Sequence, residues 1–282
     1  MIMDIVQRTA SNPVAWFLYR ACGHLSNYLG KINANALFAR QIVSRDERRA
    51  KVLAELFPDL TVANGPFKGL RYPSTQAFGS ALLPKLLGSY ESELHPVLFE
   101  LLGNGYTTVV DIGCGEGYYA GGLALRLFGA EVYAFDTDLR SRQLCASMAK
   151  LNGVEGRVHV GDRCDGETLR SIPLGTKALI VSDCEGYEGS LFTNEIAEVL
   201  ARHDLIIEAH DFIDIEISSK IREAFARTHH IRSVKSTDDI ERAHSSHYPE
   251  LQNYSTRDKY LILGEYRPAI MEWLVMTGKG RL

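Results

Sequence analysis

From Thr107 onward, short apolar runs alternate with stretches whose apolar positions recur every three or four residues. The first rhythm predicts buried strands and the second amphipathic helices. Strands are expected at 107–111, 131–135, 157–160, 177–182, 204–208, 230–235 and 271–277. Helices are expected at 117–128, 139–151, 165–171, 188–201 and 216–228. Alternation of this kind predicts an α/β fold with a mostly parallel sheet covered by helices on both faces.

The chain before this region has a different pattern. Residues 1–57 read as helical, with Asn12-Pro13 as cap and first-turn proline. A second helical pattern runs from about Ala34 to Phe57, with Leu37, Phe38, Ile42, Val52, Leu53 and Leu56 as candidate buried positions. Its charge run, 44–49, is expected to face solvent. A helical cap on the core is the plainest expectation for this extension; a lid over a substrate or a homodimer contact are the sharper ones. Around Asn64-Gly65-Pro66-Phe67-Lys68-Gly69 the sequence predicts a small hairpin. The expected organisation is therefore a helical cap with hairpin over 1–75 and a main domain over 76–282. Within the latter, the polar stretch 236–268 reads as an insertion near the active face.

Composition changes this picture little. The 282 residues are 45% hydrophobic and 23% charged, with a formal net charge of −4. Such a balance is ordinary for a globular protein and lacks the excess of cations expected of a nucleic-acid binder. Five cysteines without a Cys-x-x-Cys pair point to reduced thiols and a cytoplasmic setting. No secretory-signal pattern and no long apolar run are seen, so no membrane partner is expected.

The candidate chemistry starts at Val109-Val110-Asp111-Ile112-Gly113-Cys114-Gly115-Glu116-Gly117. An apolar strand reaches an acid and opens into a glycine turn before a helix. Glycine lets backbone and ligand approach closely. A dinucleotide site wants Gly-x-Gly-x-x-Gly and receives a pyrophosphate. Here the third glycine comes one residue early, and Asp111 places negative charge where phosphate would be repelled. A carboxylate suits a cation such as the amino group of S-adenosylmethionine. In these residues the chain resembles the class I S-adenosylmethionine-dependent methyltransferases.

Ligands of open α/β sheets bind beyond the carboxyl ends of the strands, and the other expected strands also end in acids. Asp136 closes the second strand, 21 residues beyond Gly115, where a carboxylate can accept ribose hydroxyls. Asp162 follows the third. The fourth ends in Asp183-Cys184-Glu185-Gly186-Tyr187-Glu188 and the fifth in Glu208-Ala209-His210-Asp211. With Gly88-Ser89-Tyr90-Glu91 upstream, these two segments resemble the FkbM-type methyltransferases over about residues 60–280. The resemblance implies a Rossmann-like sheet of seven strands, the last antiparallel. It also implies a cofactor site on Asp111, Gly113, Gly115, Asp136, Asp162 and Asp183, with Asp162 facing adenine. Tyr90, Glu91 and Tyr118 are candidates for the cofactor's methionine end.

The expected activity is O-methylation of a small-molecule hydroxyl, on a sugar or natural product. Two devices would remove the hydroxyl proton: His210 as general base with Asp183 beside it, or Mg²⁺ held by Asp183, Glu208 and Asp211. The alternatives are methylation of a peptide or protein carboxylate, a non-catalytic cofactor-binding subunit, and a nicotinamide oxidoreductase.

Overall fold

The computed structural model describes residues 13–77 and 81–280. Asn12 lies outside the described residues, as do the side chains of 34–42, and with them the expected burial of Leu37, Phe38 and Ile42. Contacts divide the chain into two units, the first ending at Val52 and the second running Leu53–Leu282.

One helix, α1 (Pro13–Leu56), runs through 44 residues where the sequence suggests two patterns. No proline interrupts it, and Gly23 and Gly30 cost about 1 kcal/mol each as interior residues without ending a helix. Pro13 is its first residue, as expected.

The second unit holds a seven-stranded sheet of order β3-β2-β1-β4-β5-β7-β6. Its strands are β1 (Thr108–Ile112), β2 (Glu131–Phe135), β3 (Val158–Gly161), β4 (Ala178–Ser182), β5 (Asp204–Ala209), β6 (His229–Lys235) and β7 (Glu272–Gly278). Each lies within one residue of its expected bounds. The first five are parallel, and β7 runs antiparallel to β5 and β6. The Rossmann-like expectation therefore holds. Every residue of β1, β4 and β5 is buried, which is why these segments read as apolar runs rather than alternating ones. Each buried Val, Leu or Ile contributes about 1.5–3 kcal/mol relative to exposure.

The helices are α2 (Leu82–Leu87), α3 (His95–Leu101), α4 (Tyr118–Arg126), α5 (Leu139–Leu151), α6 (Gly166–Ser171), α7 (Glu188–Leu191), α8 (Asn194–Val199), α9 (Ile217–Phe225), α10 (Asp239–Ser245) and α11 (Thr256–Leu263). The single helix expected over 188–201 is two. Phe192 leaves helical geometry, and the Thr193 side chain accepts from the Ile196 N–H to start α8. The small hairpin reduces to one bridge, Thr61 with Arg71. The polar stretch 236–268 is not an open loop: it carries α10 and α11 and buries Arg242, Leu251, Leu261, Ile262 and Leu263.

Because β1 is flanked by β2 on one side and β4 on the other, the chain reverses its direction of winding there. A crevice opens beyond the carboxyl ends of β1 and β4, and that is where a ligand enters such a sheet.

Candidate functional site

The turn after β1 takes its shape from glycine. Gly113, Gly115 and Gly117 have φ of 85°, 52° and 96°, a region other residues enter at a cost. A Cβ on Gly113 would stand 1.7 Å from the Asp183 carbonyl oxygen, so only glycine lets β1 and β4 close at this end. Four of the turn's amides are already used. Gly113 and Cys114 donate to the Phe135 carbonyl, Gly115 to Asp136 Oδ2 at 2.9 Å, and Gly117 to the Cys114 carbonyl. A phosphate nest needs those N–H groups free. Here three of them tie the turn to the end of β2 and the fourth closes the turn on itself.

Beside the turn lies a cavity of about 460 Å³. Asp111, Gly113, Gly115, Tyr118, Asp136, Asp162, Asp183 and Tyr90 all line it, so the expected cofactor residues converge except for Glu91. Asp111 is 2% exposed, and its Oδ2 has no hydrogen-bond partner. Burial pushes its carboxyl up to about 8, against the pull of the Ala120 N–H and with Asp183 and Asp136 adding repulsion. A buried acceptor left open is costly unless a ligand completes it. Asp136 is held by the Gly115 and Asp138 N–H groups, one on each carboxylate oxygen. Each oxygen retains a second lone pair for a hydroxyl. Asp162 stands at the rim, exposed and 3.1 Å from Arg142. Tyr90 and Tyr118 meet edge to face at 5.5 Å, with the Lys85 ammonium over both rings and bound to Glu116 at 2.5 Å.

Glu91 lies behind this wall. It accepts from Arg267 at 2.8 Å and from the Tyr119 hydroxyl. Its role is to anchor the loop between α2 and α3 rather than to reach the cavity.

A smaller cavity of about 100 Å³ shares Tyr90, Asp183 and Glu185 with the first and adds Glu208, His210, Glu265 and Arg267. Asp183 thus forms the wall between the two. His210 is buried, with Nε2 3.4 Å from Asp183 and 3.6 Å from Glu185. Its Nδ1 lies 2.9 Å from Glu188. Glu188 is fully buried and accepts from the Cys184 and Gly186 N–H groups at 2.8 Å each. Burial alone would raise its carboxyl, but His210 and these amides outweigh that and hold it below the ordinary glutamate value. Conversely, burial would lower His210, yet Glu188 and then Asp183 outweigh it and raise its pKa. Burial raises Asp183 as well, with His210 opposing.

The expected metal set is not assembled. Asp211 turns its carboxylate onto the Ser218 N–H and hydroxyl at 2.8 and 2.6 Å, serving the start of α9. Glu208 is taken by Arg267. Among the described residues Asp183, Glu188 and His210 come close enough to suggest a metal cluster. The two acids, however, approach opposite nitrogens of the imidazole, and backbone donors occupy Glu188. The arrangement is an acid–histidine–acid ladder, not a cage around one ion.

Two pairings at the site escape a reading of the sequence alone. Glu188 is visible within the acidic motif, but its pairing with His210 is not. Arg267 reads as a structural residue before the last strand. In the fold it is the cation that joins Glu91, Glu208 and Glu265, with the Trp273 ring 4.8 Å away. Burial would lower its pKa, but Glu208 and Glu91 outweigh that. Replacing Arg267 by Ala would leave the buried carboxylates of Glu91 and Glu208 without their cation, while Glu265 keeps Arg242 at 2.5 Å. The expected loss is about 3–5 kcal/mol of stability at neutral pH, read as a lowered denaturation midpoint. The loss shrinks at acid pH, where Glu208 and Glu265, both raised by burial, take up protons.

No protein-family model matches the sequence, and no curated protein matches it. Solved structures do. A Klebsiella pneumoniae protein provisionally named an O-methyltransferase is 14% identical, over 68% of this chain and 81% of its own, with a TM-score of 0.44. A precorrin-6y C5,15-methyltransferase from Geobacter metallireducens is 12% identical, over 66% and 89%, at 0.43. An O-methyltransferase from Bacillus cereus, in complex with SAH, is 11% identical, over 68% and 82%, at 0.41. At this distance the likeness is one of fold only, and the strand order establishes the fold independently.

Proposed function

We propose that the chain is an S-adenosylmethionine-dependent O-methyltransferase acting on a small-molecule hydroxyl, of the FkbM type that its acidic motifs resemble. The observation that carries this reading is the open, buried Oδ2 of Asp111 beside a turn whose three glycine amides are spent. Such a site suits a cation and disfavours a pyrophosphate. The donor set fits the cofactor: Asp111 for the ammonium, Asp136 for the ribose, Asp162 toward the adenine, and Tyr90 and Tyr118 along the methionine arm. When bound, the cofactor supplies a methyl group on a positive sulfur.

The protein's own work is positioning and proton removal. Asp183 marks the place where donor and acceptor cavities meet. Glu188 lies 2.9 Å from Nδ1 of His210, which favours a proton on that nitrogen and leaves Nε2 as the base on the acceptor side. In that tautomer Nε2 takes the hydroxyl proton as the oxygen attacks. Holding the reacting atoms in line contributes of order 7–11 kcal/mol in favourable systems. A carboxylate acceptor fits less well, because Asp183 and Glu185 would repel it.

Calorimetric titration of the whole chain with S-adenosylhomocysteine and with NAD separates the readings. Micromolar-range binding of the first and none of the second is expected. Affinity for NAD alone would overturn the assignment.

A further inference from the structure

We propose that α1 is an interfacial helix that docks the protein on an anionic lipid surface, lying flat among the headgroups. Between Phe17 and Ile32 the described large apolar side chains face solvent. Phe17 is 70% exposed, Leu25 58%, Tyr28 64%, Leu29 54% and Ile32 48%. Steps of three and four residues, with Ala21 between, place them on one face of the helix. That face extends about 24 Å along the axis.

The charge pattern selects the partner. Between Asp4 and Asp46 the sequence contains no acid, but it has Arg8, Arg20, Lys31, Arg40 and Arg45. Residues Met1–Val52 carry eight Lys and Arg against three Asp and Glu, while the whole chain carries a net −4. The basic charge is thus concentrated on the element that shows the apolar face. Arg20 and Lys31 are both exposed. A second copy stacked stripe to stripe would bring like charges together, because the helix's acids, Asp46, Glu47 and Glu55, all lie beyond the apolar stripe. An anionic bilayer offers opposite charge for the cations and a hydrocarbon boundary for the apolar stripe. No described helix is long and apolar enough to cross a membrane, and a helix lying in the interface needs no such run. The expectation of no membrane partner rests on the absence of a long apolar run, which an interfacial helix does not need.

The test is co-sedimentation of the full chain with vesicles of phosphatidylcholine alone or mixed with phosphatidylglycerol. Binding is expected to be at least about tenfold tighter on the mixed vesicles and to weaken as salt screens the charges. The double variant Leu25→Asp, Ile32→Asp should lose at least about tenfold while keeping the wild-type near-ultraviolet circular dichroism. Equal binding to both vesicles, or undiminished binding by the folded variant, would overturn the proposal. So would absence of vesicle binding together with a sedimentation dimer that the variant breaks.

Discussion

Replacing His210 by Ala should lower kcat about 10²- to 10⁴-fold, or about 2.7–5.5 kcal/mol of barrier, with S-adenosylhomocysteine affinity retained. The affinity survives because His210 lines the smaller cavity and not the larger one. Single-turnover methyl transfer to a hydroxyl acceptor measures the effect. The pH profile adds a second readout. Because Glu188 raises the histidine's pKa, the wild-type rate should rise with pH along a limb above the ordinary value near 6.5. Glu188→Gln keeps one backbone acceptor but loses the charge, so its limb should move to lower pH with a reduced plateau. For stability the sign is opposite to that for rate. A histidine raised on folding stabilises fully below its unfolded pKa, and that contribution disappears as pH rises through the folded value. Unchanged turnover in His210→Ala would point instead to a carboxylate acceptor, which needs no base.

Asp111→Asn should weaken S-adenosylhomocysteine binding about 30- to 1000-fold, or about 2–4 kcal/mol, because a buried charge-assisted contact is lost. The free protein adds a sharper test. With its carboxyl pushed up to about 8, Asp111 holds a proton at neutral pH. A cationic ligand favours the carboxylate and expels that proton. Calorimetry at pH 7 in buffers of different ionisation enthalpy should therefore show proton release in the wild type and none from this group in the variant. Affinity should rise with pH toward 8. Stability of the free protein should move the other way, since a carboxyl raised on folding stabilises below its ordinary value near 4 and loses that contribution as pH climbs toward 8. Equal affinity in wild type and variant would remove Asp111 from the site.

The Arg267 network belongs to the same economy of charge. Glu208 and Glu265 are raised by burial, and Asp183 faces both cavities. An acid-rich crevice of this kind is balanced by Arg267 from within and, on the proposed reading, by a cationic ligand from the open side. On the proposed reading, one arginine in a loop before the last strand bears on stability while the residues at the strand ends bear on binding.

The strands, the glycine turn and the acids at strand ends were legible in the sequence because each is written within a few consecutive residues. Apolar runs mark strands buried on both faces. Gly113 marks a turn that tolerates no Cβ. Asp111 is the last residue but one of β1 and Asp136, Asp162 and Asp183 each follow a strand, and a parallel sheet brings such positions to one edge. Other features depended on which elements became neighbours. Arg267 and Glu91 are 176 positions apart, and Glu188 meets His210 only because β4 pairs with β5. Asp211 sits next to His210 in sequence yet serves Ser218 on α9. Local spacing determines backbone form and the strand ends a side chain can occupy; the partner it finds there is decided by the packing of distant segments, where burial makes every unpaired charge costly.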